Sequence, residues 1–474
     1  METTLTEIAE QVFLKRPVLK DILSKHGTET LLEYSKQFAK TSTVILESRK
    51  SEFIQELAAE AARVLGADAG ERIKRQLQKN YFVSTADHLG PLSHPFFAHT
   101  NMLAGLSQGL TDWIVLACSN VSLGNSSFPR GMQFHFKKNE ALGLLSVPFF
   151  PSRLRQAPVY NLPGYKTDAI KKIREQLQLG CIENDAADAA INIFGSEDVL
   201  NLNSYDDQII LTNSRLFKAL FLKKASLANL VYLNQERLTV KLLEHHFSTQ
   251  TEIHSLLFEP ECREQVMNLF QGLPGAFSLQ EKKGSFLFWG YNAENKKRIR
   301  LTEDNGYLKS DDGIFKIRIQ PAEIQEALQT GRLIPSMLLN MLVVGGYYGV
   351  KCLGGFSQTS YLTGMLQTYK KMFPAAVVGE SQTLCGDFIF ADIVSGGVAA
   401  AATGLDVLLY NKQFDALAFE KLCGQKTLNE VMDRVLPILY KILYPNERGY
   451  SWPLSSYKED FSIDTGHAFP VIKL

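Results

Sequence analysis

The chain has 474 residues, of which 45% are hydrophobic and 21% are charged, and this composition excludes the disordered and fibrous classes of protein. Its length exceeds one ordinary hydrophobic core and predicts about two or three folding units. Its 50 basic and 50 acidic residues leave no net charge, so the sequence shows no electrostatic footprint for nucleic acid or an anionic membrane.

The cysteines and the apolar stretches indicate the cellular compartment of the protein. Its six cysteines are scattered, without a C-x-x-C pair, which predicts buried thiols and a reducing compartment. The N-terminal METTLTEIAEQVF lacks the basic and apolar pattern of a secretion signal. The most apolar stretch, Ile393 to Tyr410, contains Asp406 and favours a buried helix over a membrane span. We therefore expect a soluble, cytoplasmic protein with no nucleic-acid or membrane partner.

The first elements along the chain predict a parallel sheet. Residues 1–80 have amphipathic helical periodicity. The β-prone NYFVSTA (80–86) is followed by a turn-rich loop, a helical pattern from Pro95 to about Leu110, and a second apolar strand, WIVLACS (113–119). A strand, a helix and a strand in this order form a βαβ unit, which predicts a doubly wound α/β core.

The rest of the chain predicts insertions into that core and a return to it. Residues 129–150 have a hairpin pattern, Arg215 to Phe247 a long helical pattern, and 284–319 the period of two of an antiparallel meander. A helix is predicted over 321–331 and mostly helix over 385–443. The predicted segments are a helical N-terminal segment (1–80), the first part of the α/β core (81–200), a helical insertion (201–280), an antiparallel β module (281–320), the second part of the core (321–410) and a C-terminal helical region (411–474).

The loop between the first strand and its helix carries the main candidate site. Ligands of open α/β sheets bind at the carboxyl ends of the strands, where a helix N-terminus favours an anion. We expect Asp87, His88 and His94 to act on a bound ligand, whereas the apolar neighbours of His99 favour a structural role. The residues of this candidate site are Thr85, Asp87, His88, Gly90, His94 and His99.

A metal site is the alternative for the same residues. Asp87, His88, His94 and His99 are the ligand types of zinc and iron, although their spacing matches no motif such as H-E-x-x-H. The alternatives are therefore a cluster that binds an anionic substrate and a cluster that binds a metal ion.

The segment VSTADHLGPLSHPFF resembles a stretch of the form V-V-T-G-Q-Q-x-G-x-x-x-G-P-L-Y in the family of the cysteine-adding enzyme of bacillithiol synthesis. Val83, Thr85, Gly90 and Pro95 fall on the Val, Thr, Gly and Pro of that pattern without gaps. A second segment, IPSMLLNMLVVGGYYGVKCLGGFSQTSYL, is similar to the family's S-P-x-x-L-L-R-P and AYVxGPxEIAY stretch. Its matching positions are Pro335, Leu338, Leu339, Gly355 and Tyr361, with Gln358 in place of Glu.

This resemblance implies a fold and a chemistry. The fold would be a Rossmann-like core akin to nucleotidylyltransferases and class I aminoacyl-tRNA synthetases, with inserted domains and a homodimer formed through helices. The chemistry would be C–N bond formation between an amino acid and a small acceptor, with ATP or another nucleotide as candidate cofactor.

The sequence departs from the family at positions that matter for chemistry. Asp87 and His88 stand where the family has two glutamines, and His94 stands where it has glycine. After the second strand the family has an E-D-H-D type loop, but SNVSLGNSSFPRG here contains no carboxylate, and the Arg of L-L-R-P is Asn340. These departures predict a substrate other than that of bacillithiol synthesis.

Two further segments supply candidate ligand-binding residues. The loop after the second predicted strand offers neutral hydrogen-bonding groups and one guanidinium that suits a carboxylate or phosphate. A strand-to-helix turn at a pair of glycines permits close approach of a ligand. These candidates are Asn120, Arg130, Gly354, Gly355, Gln358 and Tyr361.

Three functions remain open from the sequence. The first is a ligase-like or transferase-like enzyme that joins an amine-bearing metabolite to a small acceptor. The second is a metal-dependent hydrolase or oxygenase that uses the Asp/His cluster. The third is a non-catalytic binding or assembly protein that retains the fold. We also expect loops 87–94 and 120–131 at one edge of the sheet, and a site that does not need the charged hairpin Asn292 to Arg298.

Overall fold

The computed structural model describes residues 5–40, 46–92, 94–125, 131–139, 141–221, 227–376, 384–410, 416–444 and 471–473. The strands are β1 (Phe82–Ser84), β2 (Asp112–Ala117), β3 (Gly131–Lys138), β4 (Ala141–Pro148), β5 (Asn229–Asn234), β6 (Phe288–Asn292), β7 (Lys297–Ile299), β8 (Leu301–Asp304), β9 (Tyr307–Ser310), β10 (Lys316–Arg318), β11 (Leu333–Pro335), β12 (Lys351–Gly354), β13 (Leu384–Cys385), β14 (Asp392–Ser395), β15 (Val398–Ala401) and β16 (Val471–Lys473).

The helices surround these strands along the whole described chain. They are α1 (Leu5–Lys15), α2 (Pro17–His26), α3 (Leu31–Ser35), α4 (Glu47–Leu65), α5 (Ala67–Lys79), α6 (Pro95–Gly105), α7 (Thr167–Leu179), α8 (Asn184–Gly195), α9 (Glu197–Leu200), α10 (Tyr205–Leu220), α11 (Gln235–Glu244), α12 (Glu252–Phe258), α13 (Pro260–Phe270), α14 (Pro321–Gln329), α15 (Met337–Met341), α16 (Phe356–Met372), α17 (Gly404–Leu409), α18 (Ala416–Cys423) and α19 (Leu428–Leu443). Short 3-10 turns lie at Lys36–Ala39, Leu123–Asn125, Ser152–Leu154 and Val159–Asn161, and a π-helical turn lies at Leu342–Tyr347.

A five-stranded sheet, entirely parallel, is the centre of the fold. Its order is β13-β12-β1-β2-β5, so the central strand β1 pairs with β2 on one side and with β12 on the other. If the five strands are renumbered 1 to 5 in chain order (β1, β2, β5, β12, β13), their order from the β5 edge to the β13 edge is 3-2-1-4-5. The direction of winding therefore reverses between β1 and β12, which makes their carboxyl ends the topological switch point of the sheet.

Apolar side chains alternate along the strands and cover both faces of this sheet. In β2, Trp113 and Val115 belong to one buried cluster, and Ile114 and Leu116 belong to the other. Helix α6 packs in the first cluster and α16 in the second. A parallel sheet has to be covered in this way, because both of its faces are apolar. The two helices that follow β1 and β12 consequently leave the sheet on opposite sides.

The predicted βαβ unit is confirmed. β1 and β2 are parallel neighbours, with Ser84 opposite Val115, and an isolated parallel bridge joins His88 to Cys118 beyond them. The loops after β1 and β2 therefore start at the same edge, as the sequence predicts.

The antiparallel predictions are also confirmed in outline. β3 and β4 form the expected hairpin, and the predicted meander contains β6 to β10. These five strands divide between two small sheets, β10-β9-β8 and β11-β6-β7, so β11 joins the module from outside its predicted range.

The helical prediction for Arg215 to Phe247, within the expected helical insertion 201–280, is wrong over Asn229–Asn234. This segment is β5, which pairs with β2 at the edge of the parallel sheet. Its residues alternate between the two buried clusters, with Leu230 and Tyr232 in one and Val231 and Leu233 in the other. An apolar run that is buried on both faces looks the same in sequence as a buried helix.

The prediction of a buried helix over Ile393 to Tyr410 is wrong in its first half. β14 and β15 form a hairpin there, and its turn residues Gly396 (φ 57°) and Gly397 (φ 77°) have the positive φ that tight hairpin turns require. Asp406 closes a capping box with Thr403 at the start of α17 instead of interrupting a helix.

No helix in the described part of the chain combines the length and the apolar character needed to cross a membrane.

Candidate functional site

The carboxyl ends of β1 and β12 bring the two candidate segments together. The Thr85 N–H and hydroxyl both donate to the Leu353 carbonyl, at 2.9 and 3.2 Å. The side-chain amide of Gln358 donates to the Thr85 carbonyl (2.7 Å), and the Thr85 hydroxyl lies 3.3 Å from Gln358 Oε1. These contacts hold the loop after β1 against the start of α16 at the switch point.

Asp87, two residues after Thr85 in the first loop, is a fully buried carboxyl. Its Oδ2 accepts from Asn101 Nδ2 (2.8 Å), and Asn101 Oδ1 accepts in turn from the Trp113 indole N–H (2.7 Å). Its Oδ1 has no hydrogen-bond partner among the described residues. Burial, with a smaller contribution from the Asp387 carboxylate, raises the pKa of Asp87 to about 7. A buried oxygen without a partner and a pKa near neutrality are features of functional carboxyl groups.

Asp387, which follows β13, is a second buried carboxyl at the same edge, and the sequence analysis missed it. Its Oδ2 accepts from the Phe356 N–H (2.8 Å) at the start of α16, and its own N–H donates to Thr100 Oγ1 (3.0 Å). Its φ of 67° lies in the left-handed region, which is uncommon for a residue with a side chain. Burial raises the pKa of Asp387 to about 7.

Gly355 is required by the position of that carboxyl. A Cβ atom at Gly355 would lie 2.4 Å from Asp387 Oδ2, so any side chain there would displace it. Gly354 ends β12 and is buried. Of the two glycines that the sequence analysis selected, Gly355 makes room for Asp387, whereas a Cβ at Gly354 would meet Gln358 and Thr359.

The three histidines of the first loop and helix have separate roles. His88 is partly exposed, and its Nδ1 lies 2.8 Å from the Asn125 carbonyl. His94 is the N-cap of α6, where its Nδ1 accepts from the Phe96 N–H (3.2 Å). His99 is fully buried, and its Nδ1 accepts from the Phe390 N–H (3.2 Å).

Burial keeps these imidazoles neutral. It lowers the pKa of His88, and it lowers the pKa of both His94 and His99 to about 3. A neutral imidazole can donate one hydrogen bond but supplies no positive charge to a phosphate. That His88 and His94 act on a bound ligand stays a prediction, because a bound anion would itself raise the pKa of a neighbouring imidazole.

The four proposed metal ligands do not come together. Within the ranges that the structure describes, no three His, Cys, Asp or Glu side chains lie in an arrangement that could hold a metal ion. Asp87, His94 and His99 instead contact Asn101, the Phe96 N–H and the Phe390 N–H, respectively.

Gly90 lies in the turn of the first loop, where its carbonyl accepts a hydrogen bond from Asn213. The Asn213 side chain accepts from the Leu92 N–H (2.9 Å) and donates to the Gly90 carbonyl (2.9 Å). Helix α10, which carries Asn213, thus braces the turn of the first loop. The candidate guanidinium of Arg130 lies outside the described residues.

The end of β2 adds a buried polar network. Glu236, in the first turn of α11, accepts from the Ser119 N–H and hydroxyl, both at 2.6 Å, and from Asn340 Nδ2 at 2.8 Å. Burial raises the pKa of Glu236.

Asn120 Nδ2 donates to the Pro335 carbonyl (3.0 Å), and the Arg298 guanidinium donates to the Asn120 carbonyl. Arg298 belongs to β7, so the hairpin contacts the loop after β2, and whether the site needs this hairpin stays a prediction.

Tyr361, in the second turn of α16, and Arg16, before α2, lie near the start of α16. The Tyr361 ring packs against Gly275, where a Cβ would lie 2.8 Å from the ring. Burial raises the pKa of Tyr361. Arg16, the N-cap of α2, donates through Nη2 to the Ser357 hydroxyl (3.3 Å). No local sequence signal marks Arg16 or Asp387, because the contacts of both join segments far apart in the chain.

A scan against known protein families found no match to this chain, and a search of curated proteins found none either.

Proposed function

We propose that this chain is an enzyme that joins an amine-bearing metabolite, of the amino-acid type, to a small acceptor by acid–base catalysis at the β1–β12 switch point. Asp87 and Asp387 would exchange the protons of this ligase-like or transferase-like reaction. The second candidate, a metal-dependent hydrolase or oxygenase, has no supporting observation in the arrangement of its four proposed ligands.

The pair of buried carboxyl groups is the observation that carries the proposal. Asp87 and Asp387 come from different strands, lie within electrostatic range of each other, and have a pKa raised to about 7. An amine attacks only after it has lost its proton, and the oxygen of the acceptor or leaving group has to gain one. General acids and bases work best when their pKa lies near the operating pH, and coupled carboxyls can share one proton between them.

The contacts between the two resembling segments support a Rossmann-like, nucleotidylyltransferase-like core. Thr85, from the first segment, and Gln358, from the second, exchange hydrogen bonds at the switch point. The strand order 3-2-1-4-5 resembles the first five strands of the classic dinucleotide-binding order 3-2-1-4-5-6, which supports this part of the proposal. We therefore keep distant kinship to the bacillithiol-synthesis family, a nucleotide cofactor such as ATP and a homodimer as parts of the proposal.

A screen of amines and acceptors tests the proposed reaction. Purified protein is incubated with amino acids and small acceptors, with and without ATP, and mass spectrometry detects any conjugate. Asp87→Asn and Asp387→Asn should each slow conjugate formation by on the order of 100-fold or more, as loss of a general acid or base does. Asp304→Asn, at an exposed carboxyl of β8, is the control and should retain the wild-type rate.

Wild-type rates in both Asp87→Asn and Asp387→Asn would refute the assignment of these carboxyls. Ligand-induced thermal shifts without any conjugate, over the whole screen, would favour the non-catalytic binding protein instead.

A further inference from the structure

One arginine of the antiparallel module reaches the edge of the parallel sheet. Arg298, in β7, donates through Nη1 to the Asn120 carbonyl and lies 3.4 Å from Asn120 Oδ1. Its guanidinium carbon lies 4.6 Å from the centre of the Trp289 ring in the adjacent strand β6. Stacking on an aromatic face and a backbone acceptor together fix the orientation of a guanidinium.

Arg298 forms no salt bridge with a described carboxylate. No Asp or Glu oxygen of the described residues lies within 4.0 Å of its nitrogens, whereas Arg300, two positions along, is paired with Asp311 at 2.5 Å. Glu236 acts on Arg298 only at longer range, and its two oxygens already accept from Ser119 and Asn340. Arg298 is partly exposed and is not salt-bridged to a described carboxylate, so its guanidinium is available to an anionic ligand.

Arg298 lies at the same edge as the carboxyl pair. Asn120, which it contacts, follows β2 by three residues, and the N–H of Cys118 donates to the Asp87 carbonyl (2.9 Å). The donors Nε and Nη2 of Arg298 have no described hydrogen-bond acceptor. The N–H groups of Nε and Nη2 can therefore donate to a ligand near the loop that carries Asp87.

We propose that Arg298 binds an acidic group of the substrate, a carboxylate or a phosphate, with Trp289 and the Asn120 carbonyl as positioning groups. This inference rests on the proposed function and assigns to its substrate a negatively charged group at the β2 end of the site. The antiparallel module is then the part of the protein that recognises the substrate, while the parallel sheet carries the acid–base pair.

Thermal melting in defined anions tests this role without any knowledge of the substrate. The wild-type protein is titrated with sodium phosphate, sodium acetate or sodium chloride at constant ionic strength. We expect a saturable rise in Tm with phosphate, acetate or both, but not with chloride, and the more effective anion identifies the acidic group. Arg298→Gln should raise the anion concentration at half-saturation by about tenfold or more. Arg298→Lys should raise it less, because a lysine keeps the charge but loses the two parallel N–H donors of the guanidinium.

Arg300→Gln is the matched control, since it removes an arginine of the same module that a carboxylate already pairs. Arg300→Gln should show the same rise in Tm with anion concentration as the wild type. A second measurement needs no variant: phenylglyoxal modifies arginines, and peptide mapping should show that phosphate or acetate protects Arg298 in the wild-type protein.

No saturable response to phosphate or acetate in the wild type, or an unchanged response in Arg298→Gln, would overturn the proposal. Anion binding without any conjugate would leave this inference standing and count only against the proposed reaction. A conjugate formed at the wild-type rate by Arg298→Gln would count only against Arg298.

Discussion

Replacing Asp87 with asparagine should remove a dependence of stability on pH that the buried carboxyl imposes. In the unfolded chain this group loses its proton near its usual pKa of 3.8, whereas the folded protein keeps the proton until about pH 7. Between these values the folded state binds more protons than the unfolded state, so the free energy of unfolding falls as pH rises. The stabilisation that the neutral carboxyl gives the folded protein is therefore fully present below about pH 4, and it is lost as the pH rises through about 7.

The magnitude follows from the size of the shift. A shift of roughly three pKa units at ~1.4 kcal/mol per unit amounts to about 4 kcal/mol between pH 4 and pH 7. No discount for solvent screening applies, because Asp87 is fully buried. Asparagine resembles the protonated acid in shape and retains an oxygen that can accept from Asn101. The stability of Asp87→Asn relative to wild type should therefore increase by about 4 kcal/mol over this range.

Urea unfolding at several pH values measures this difference. Trp113 is a suitable fluorescence probe, because its indole N–H donates to the same Asn101 that holds Asp87. Asp168→Asn, at a side chain that is 90% exposed on α7, is the control and should not show this pH-dependent difference. A constant difference between Asp87→Asn and wild type from about pH 4 to pH 8 would refute the reasoning, because it would mean that the buried carboxyl ionises as it does in the unfolded chain.

Two further changes separate structural from functional roles at the same edge. His99→Ala should lower the free energy of unfolding by about 1–3 kcal/mol in urea melts, since the buried Phe390 N–H loses its acceptor, whereas His88→Ala, in the partly exposed loop, should cost less. Equal losses in the two variants would contradict this assignment. Gly355→Ala should cost about 1–3 kcal/mol and also abolish conjugate formation, because the new methyl group would meet the Asp387 carboxylate. Retained activity in a stable Gly355→Ala protein would show that Asp387 is not needed in its present position.

The sequence predicted the parts of the fold that local signals encode. The strand, loop and helix around Thr85 and Pro95 were predicted because a β-prone run, a turn and a helix start follow one another directly. β5 was missed because both of its faces are buried, which removes the alternation of apolar and polar residues that marks a strand. The β14–β15 hairpin was missed although Gly396 and Gly397 stand at its turn, because the surrounding alanines favour helix.

Candidate residues from two distant segments lie at one edge of the sheet, but the sequence analysis did not find every polar group there. Asp87, Gly355 and Gln358 were selected from their positions next to strands, and the structure brings them to the switch point. Asp387 and Arg298 could not be found in this way, because they reach the site through pairings between distant segments. Whether a histidine is charged also depends on tertiary burial, which a loop sequence does not reveal.

The position of β1 in the sheet also determines when the protein can fold. β1 is the central strand, yet one of its two partners is β12, and the hydrogen bond from Thr85 to Leu353 spans 268 residues. Contacts between such distant segments are slow to form, because the intervening chain has to be ordered first. Until the ribosome has released residues 351–354, one side of β1 is an unpaired edge with exposed backbone groups. We therefore expect the nascent chain to be prone to aggregation until most of its length has been made, and we expect fragments that end before β12 to be insoluble.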